Sequence, residues 1–272
     1  MSRIRRLLLL VATIVVVAYL AILLLLWIGQ DRIVFPGAGR GDRPIDVVGV
    51  QSLQLTTADG LRFRVAERVP PQPAAVALCF VGNGEDLRSA ARQVDELTQH
   101  RVAAIAPEYP GYGLSEGAPG VASLLAVADA AADHAAARAR ELGVPLVLVG
   151  TSLGSFCAVH VAAGGRGERL LLRAPPTTLV AAARQRFWWL PVGLLLRHRF
   201  DSLALADRVK CPVLVLHGDR DAIVPAALGR QLCEAFAGPS EFVLVSGAGH
   251  NNLSIGPEGS QGARVGAFLR GK

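Results

Sequence analysis

Hydrophobic positions along the chain fall into runs of three kinds, and the first is the longest. Residues 7–29, LLLLVATIVVVAYLAILLLLWIG, carry no charge. At a rise of about 1.5 Å per residue this run is about 35 Å long as a helix, enough to cross a hydrocarbon core of about 30 Å. A cleaved signal peptide has an apolar stretch of only about 7–15 residues and a small-x-small cleavage site. QDRIVFPGAGR, which follows, is not convincingly such a site. An uncleaved membrane anchor over residues 1–30 is the expectation. The second kind is the short Val/Leu/Ile run: 76–82, 102–109, 145–150, 170–175, 212–218 and 241–247. Helical stretches separate most of them, including Glu85 to His100, the Ala-rich Val121 to Leu142, a helix ending near Ala163, and one at the C-terminus. The third kind alternates polar and apolar residues at about 47–57 and 61–68, around the turn pair Asp59-Gly60.

Continuous apolar runs alternating with helices signal a mostly parallel central sheet with helices on both faces, the α/β class. The two alternating runs read as an antiparallel hairpin at the sheet edge. After a polar connector at about 30–45, one domain is expected over residues 31–272. One stretch breaks the rhythm. Pro176 to Lys210 contains RFWWLPVGLLLRHRFD and interrupts the passage between two strands. It reads as a small helical cap over the carboxyl edge of the sheet. Its apolar run, Phe187 to Leu196, is expected to pack the cap onto the sheet, because apolar stretches are usually core. The alternative is that it lines an acyl pocket or dips into the bilayer.

Charge adds an orientation. Arg3, Arg5 and Arg6 precede the apolar run without an acid, whereas Asp31, Arg32, Arg40 and Asp42 mix signs after it. The positive-inside rule keeps the N-terminus cytoplasmic and sends the remainder across the membrane. Net charge is +6, and those three arginines are half of it. No Lys/Arg run with interleaved aromatics exists, which argues against nucleic acid as a partner. Cys79, Cys157, Cys211 and Cys233 are widely spaced among apolar neighbours, with no C-x-x-C and no Cys/His cluster. Buried free thiols fit, and a metal site does not. No cofactor is expected.

The chemistry turns on a choice between two matches to G-x-S-x-G: GLSEG at 113–117 and GTSLG at 150–154. Beyond a strand's carboxyl end, a sharp strand-to-helix turn exposes a serine hydroxyl and aims helix amides at a developing oxyanion. Ser152 sits there, with PLVLVG before it and LGSFCAVHVAA after it. Ser115 is followed by Gly117, Pro119 and Gly120, which forbid an immediate helix, so GLSEG is a loop. Serine needs a base, and the base an orienting carboxylate. Of six histidines, His250 lies on a loop after a strand, where an imidazole can reach Ser152. His100, His134, His160, His198 and His217 fall on helices, in the cap or at a strand end. HGDRDAIVP offers Asp219 and Asp221. Asp221 lies deeper in the loop and is preferred, with Asp219 holding the turn. The oxyanion donors expected are the backbone amides of Leu153, after the nucleophile, and Asn83, in the loop VGNGED.

Ordered as Ser152, Asp221, His250, these residues resemble the alpha/beta-hydrolase superfamily from about residue 47 to 270. Within it the chain is similar to a membrane-anchored, short-cap branch typified by alpha/beta-hydrolase domain-containing protein 13 and its bacterial relatives. The matching stretches are VGNGED, PEYPGYGLSEG, GTSLGS, LPVGLLLRHRFDS, HGDRDAIVP and GAGHNN. The resemblance implies the same triad and the same two donors. Two departures stand out. Val81-Gly82-Asn83 replaces the branch's His-Gly-Asn, and Arg173-Ala174-Pro175 replaces Glu-Ser-Pro. The function expected is a membrane-anchored serine hydrolase cleaving a small-molecule or lipid-like ester or thioester through an acyl-enzyme. Peptidase or amidase chemistry on the same triad, or a non-catalytic anchored binding protein, are the alternatives.

Overall fold

The computed structural model describes residues 3–272. Eight strands form one sheet: β1 (Gln51–Thr56), β2 (Arg62–Arg68), β3 (Val76–Phe80), β4 (Ala103–Pro107), β5 (Leu146–Thr151), β6 (Arg169–Arg173), β7 (Val213–Gly218) and β8 (Ser240–Val245). Their spatial order is β1-β2-β4-β3-β5-β6-β7-β8. β1 and β2 pair antiparallel, β2 pairs antiparallel with β4, and every other pair is parallel. Strands read as continuous apolar runs, such as β3, β4, β5 and β7, are buried along their whole length. β1, read as alternating, keeps exposed positions along its length.

Around the sheet run α1 (Arg3–Val34), α2 (Leu87–Thr98), α3 (Val121–Leu142), α4 (Gly154–Ala163), α5 (Leu179–Arg186), α6 (Val192–Leu195), α7 (Ala226–Ala235) and α8 (Gly262–Arg270). The sheet grows from β3 to β4 in one direction, then from β5 onward in the other. Right-handed crossovers therefore place α2 on one face and α3, α4 and α7 on the opposite one. The reversal leaves a crevice at the carboxyl ends of β3 and β5. Both strands stop there in register, Phe80 beside Gly150.

The excursion between β6 and β7 is smaller than the expected 176–210. An isolated bridge between Thr178 and Asp201 closes its neck, with Leu179 donating to the Phe200 carbonyl and Ser202 to that of Thr177. Past the neck a 3-10 turn, Leu203–Arg208, buries Ala206 and returns the chain to the body beside α4 and α7. α1 also departs from the sequence reading, because the helix does not stop at residue 30. It runs to Val34, and Gln30, Val34 and Phe35 are buried. The expected polar connector at about 30–45 therefore begins inside the helix. The side chains of Gln30 and Asp31 find partners in the excursion, far away in sequence.

Candidate active site

β5 delivers Ser152 at a backbone φ of +50°, a left-handed conformation that is costly for a residue with a Cβ. Two glycines make the turn possible by close approach. A Cβ on Gly154 would lie 2.2 Å from the Phe80 carbonyl oxygen, and one on Gly150 would lie 2.8 Å from both Ala158 Cβ and Ser155 Cα. α4 then begins at Gly154, so the hydroxyl stands at a helix N-terminus. The Ser152 amide donates to the Arg173 carbonyl of the next strand at 2.9 Å, which pins the turn to the sheet.

The structure brings together the three residues placed by chain order. His250 Nε2 lies 3.0 Å from Ser152 Oγ, and its Nδ1 lies 2.7 Å from Asp221 Oδ2. Asp221 is held from two sides. Its Oδ1 accepts from the amides of Ile223 and Val224 at 2.9 and 2.8 Å, leaving Oδ2 for histidine. Burial pushes this carboxyl up, but hydrogen bonds from His217, His250 and the Val224 amide outweigh burial and hold it well below the usual carboxylate range. Asp221 is therefore charged wherever a neutral or cationic imidazole faces it. Asp219, expected to hold its own turn, instead accepts from the Gly247 amide of the loop after β8 at 2.7 Å. Together with Arg220 donating to the Ala248 carbonyl, that bond fastens the acid's loop to the histidine's loop.

On the opposite side lies the loop after β3. The Gly82 amide is taken by the Glu85 carboxylate and the Ser152 amide by Arg173, whereas those of Asn83 and Leu153 have no protein acceptor among the described residues. Both expected donors are thus available. The Asn83 loop is held by contacts the sequence reading did not foresee. Tyr112 Oη donates to the Asn83 carbonyl at 2.6 Å, Tyr109 Oη donates to that of Val81 at 2.6 Å, and Asn83 Nδ2 donates to the last carbonyl of α1, on Val34, at 2.7 Å.

Two more functional neighbours were missed. His217, fully buried in β7, donates through Nε2 to the Val224 carbonyl at 2.8 Å, and the same nitrogen lies 3.3 Å from Asp221 Oδ2. Its position four residues before Asp221, at a strand end, was the available signal. Arg173, the departure noted above, donates to Thr151 Oγ1 and to the Leu253 carbonyl, tying β5 to the segment that follows His250. The decoy Ser115 is buried, donates to Glu108 and accepts from the Arg64 amide, so it braces a loop. The remaining histidines are engaged elsewhere: His100 with the Ile255 carbonyl, His134 with Glu67, His160 with Asp129 and His198 with Asp31.

Above Ser152 opens a cavity of about 610 Å³, within the range of ligand sites. Its lining is mostly apolar and comes from three regions. The body contributes Phe156 and Ile223, the excursion Phe187, Leu190 and Leu196, and α1 contributes Leu26, Ile33 and Val34. This corrects the expectation that the run 187–196 merely packs the cap onto the sheet. Phe187, Leu190, Val192, Leu195 and Leu196 line the cavity, whereas Trp188, Trp189 and Leu194 face outward, exposed. All four cysteines are free, with Cys79, Cys157 and Cys233 buried.

An open, mostly parallel sheet with a strained strand–serine–helix turn, a histidine after the last strand and an acid after the strand before it defines an α/β hydrolase architecture. Comparison with known proteins agrees. Residues 71–194 match the serine aminopeptidase family S33, and residues 197–271 match a family described as TAP-like protein. A protein of uncharacterised function from Mycobacterium tuberculosis is 31% identical over 250 residues, covering 90% of this chain and 89% of that one. Alpha/beta hydrolase domain-containing protein aho-3 of Caenorhabditis elegans is 31% identical over 157 residues, and the matched part is 54% of this chain and 43% of that relative. An esterase from Pyrococcus furiosus superimposes with a TM-score of 0.67 over 86% of this chain and 98% of that one, at 17% identity. The chain belongs to the alpha/beta-hydrolase superfamily.

Proposed function

We propose that this hydrolase is a membrane-anchored serine enzyme that cleaves carboxylic esters or thioesters through an acyl-enzyme. The single observation that carries the reading is the unbroken line Asp221–His250–Ser152 ending in an apolar cavity. Ser152 Oγ attacks the acyl carbon while His250 Nε2 takes its proton. Asp221 fixes Nδ1–H and balances the imidazolium, and the amides of Asn83 and Leu153 receive the oxyanion. His250 then returns the proton to the leaving alcohol or thiol, and water attacks the acyl-enzyme with the same histidine as base. α1 anchors the domain, on the non-cytoplasmic side by the charge rule, and the branch typified by alpha/beta-hydrolase domain-containing protein 13 is the one proposed within the superfamily.

The match to an aminopeptidase family raises amide cleavage as a second reading. An aminopeptidase must hold a free α-amine, best done by a carboxylate. Among the described residues lining the cavity, Glu85 is the only acid, and its carboxylate is committed to the Gly82 amide. That supports esters over aminoacyl amides. The test is Ser152→Ala in the full chain in detergent. Turnover of acyl esters is expected to fall by about 10⁴-fold or more, together with loss of fluorophosphonate labelling. Undiminished ester turnover by the variant overturns the reading, and preference for aminoacyl amides in the wild type moves it to the second.

A further inference from the structure

One wall of the cavity is shared by α1 and the excursion, and the contacts that join them lie at two depths along α1. The first is a polar latch. Gln30 donates to the Leu195 carbonyl at 3.2 Å and accepts from the Arg197 amide at 2.7 Å. Asp31 receives Arg197 and His198 at 2.9 and 2.7 Å, and the Arg197 guanidinium stacks over Trp27 at 5.1 Å. Trp, Arg and Asp together are what a headgroup interface accommodates. The second contact is Tyr19 Oη donating to the Trp189 carbonyl at 3.2 Å. Tyr19 lies eight residues before Trp27, hence about 12 Å further along the helix axis, in the middle of the uncharged run.

We propose that the tip of the excursion, Phe187 to Leu194, is immersed in the hydrocarbon of the bilayer that α1 spans, and that the cavity therefore takes a membrane-resident long-chain acyl ester or thioester sideways from the lipid. The proposal rests on the anchored-hydrolase reading and deepens it by naming where the substrate comes from. If α1 crosses the bilayer, a segment that touches Tyr19 cannot be in water. The average tilt of spanning helices, about 20°, shortens that depth only slightly.

The chemistry of the tip agrees independently of its position. FWWLPVGLLL, residues 187–196, contains no charge, and Trp188 and Leu194 are 82% and 86% exposed. An outward-facing patch of this kind has no partner in water, and lipid supplies one. Arg184 and Arg186 precede the run and Arg197 and Arg199 follow it, long side chains whose charged ends can reach headgroup phosphates while their stems stay apolar. Arg199 also donates to the Gly193 carbonyl, satisfying a backbone acceptor of the tip. An acyl chain lying between Leu26 and Ile33 of α1 and Leu190 and Leu196 of the excursion would replace lipid contacts with similar ones, so extraction from the bilayer costs little desolvation.

The experiment uses the full chain reconstituted in phosphatidylcholine vesicles, in a variant where Trp27→Phe and Trp189→Phe leave Trp188 as the sole tryptophan. Lipids brominated in the acyl chains are expected to quench Trp188 several-fold more strongly than aqueous acrylamide does. Efficient quenching by acrylamide, with none by the brominated lipid, overturns the proposal. A second arm combines Trp188→Asp with Leu194→Asp, two outward-facing side chains away from the reacting groups. Turnover of a long-chain ester embedded in vesicles is expected to fall at least ten-fold, while that of a water-soluble short-chain ester stays within two-fold. Equal losses on both substrates overturn it as well. Failure of the hydrolase reading looks different: Ser152→Ala then changes neither turnover, whereas the quenching of Trp188 persists.

Discussion

The loops at the carboxyl edge and the wing formed by α1 with the excursion face each other across one cavity, yet they are held by opposite means. At the edge, Ser152, His250, Asp221 and Glu85 each have a named side-chain or backbone partner, and two loops are stitched to each other through Asp219, Arg220 and Ala248. In the wing, one polar latch around Gln30 and Asp31 and one tyrosine bond span a long apolar seam. The edge needs fixed angles, because a nucleophile, a base and an acid act only in register. On the proposed reading the wing needs surface of the right chemistry and some freedom, because it would handle acyl chains rather than reacting atoms. Damage at the edge should therefore appear in kcat for every substrate, and damage in the wing in KM for long ones.

The largest effect is expected from Asp221→Asn. The amides of Ile223 and Val224 demand an acceptor, so the asparagine oxygen takes the Oδ1 place and its NH₂ takes that of Oδ2. That NH₂ then faces His250 Nδ1, which must become the acceptor, and it also faces the His217 nitrogen that already donates to Val224. Nε2–H of His250 then points at Ser152 and cannot take its proton. A loss of about 10⁴-fold in kcat is expected for short and long esters alike, the scale of losing tautomer control. Stopped-flow acylation with both substrates checks it. A loss confined to long-chain esters would dissolve the contrast between edge and wing.

Gln30→Ala tests the other side. The change removes two of the bonds that lock α1 to the excursion and leaves the Leu195 carbonyl and the Arg197 amide without their partner, while those of Asp31 and Tyr19 remain. With the two bonds together worth about 2 kcal/mol net, KM for a long-chain ester is expected to rise by up to about thirty-fold, with kcat within two-fold. Short-chain kinetics should be unchanged. Steady-state parameters across a chain-length series decide it, and a fall in kcat on the shortest ester would mean that α1 acts on the oxyanion loop through Val34 and Asn83 rather than on the acyl chain.

The same division marks what could be read without coordinates. The edge was legible because each residue follows a buried strand, and such strands announce themselves as Val/Leu/Ile runs. Ser152, Asp221 and His250 were placed by that logic together with the G-x-S-x-G pattern and their chain order, and α3 was bounded at Val121 and Leu142, as found. The wing was not legible. Its contacts join residues more than 160 apart, such as Gln30 with Leu195, and no periodicity carries information over that separation. The composition of FWWLPVGLLL suits a core, a pocket or a membrane equally. His217 was passed over for a related reason: inside a strand it reads as filler until the next loop folds Asp221 back over it. The sharp turn at Ser152, by contrast, was legible from the glycines at 150 and 154, although its left-handed backbone was not.

The smallest effect concerns a second buried carboxylate, Glu108, on the edge side of the comparison. It accepts from Ser115 Oγ at 2.8 Å and from the Leu87 amide at 3.1 Å, and so anchors the loop whose Tyr112 holds Asn83. Asp221 is held down by its partners, but burial pushes the Glu108 carboxyl up, against the opposing pull of Ser115, Leu87 and Arg64. A raised folded-state value means that the folded protein binds this proton more tightly than the unfolded chain does. The stability so gained is complete below the unfolded value of about 4.3 and is lost as pH rises through the folded one. Glu108→Gln removes the titration but keeps an acceptor for Leu87, while the Ser115 hydroxyl can turn to accept from the new NH₂. At pH 4 the variant should match the wild type within about 1 kcal/mol, and by pH 7 it should have gained relative to it. Urea midpoints of the full chain in one detergent at pH 4, 5.5 and 7 measure the trend. A variant that loses ground as pH rises would mean that the ionised carboxylate is a net support of the loop, and that the edge is stiffened by charge at Glu108 as well as at Asp221.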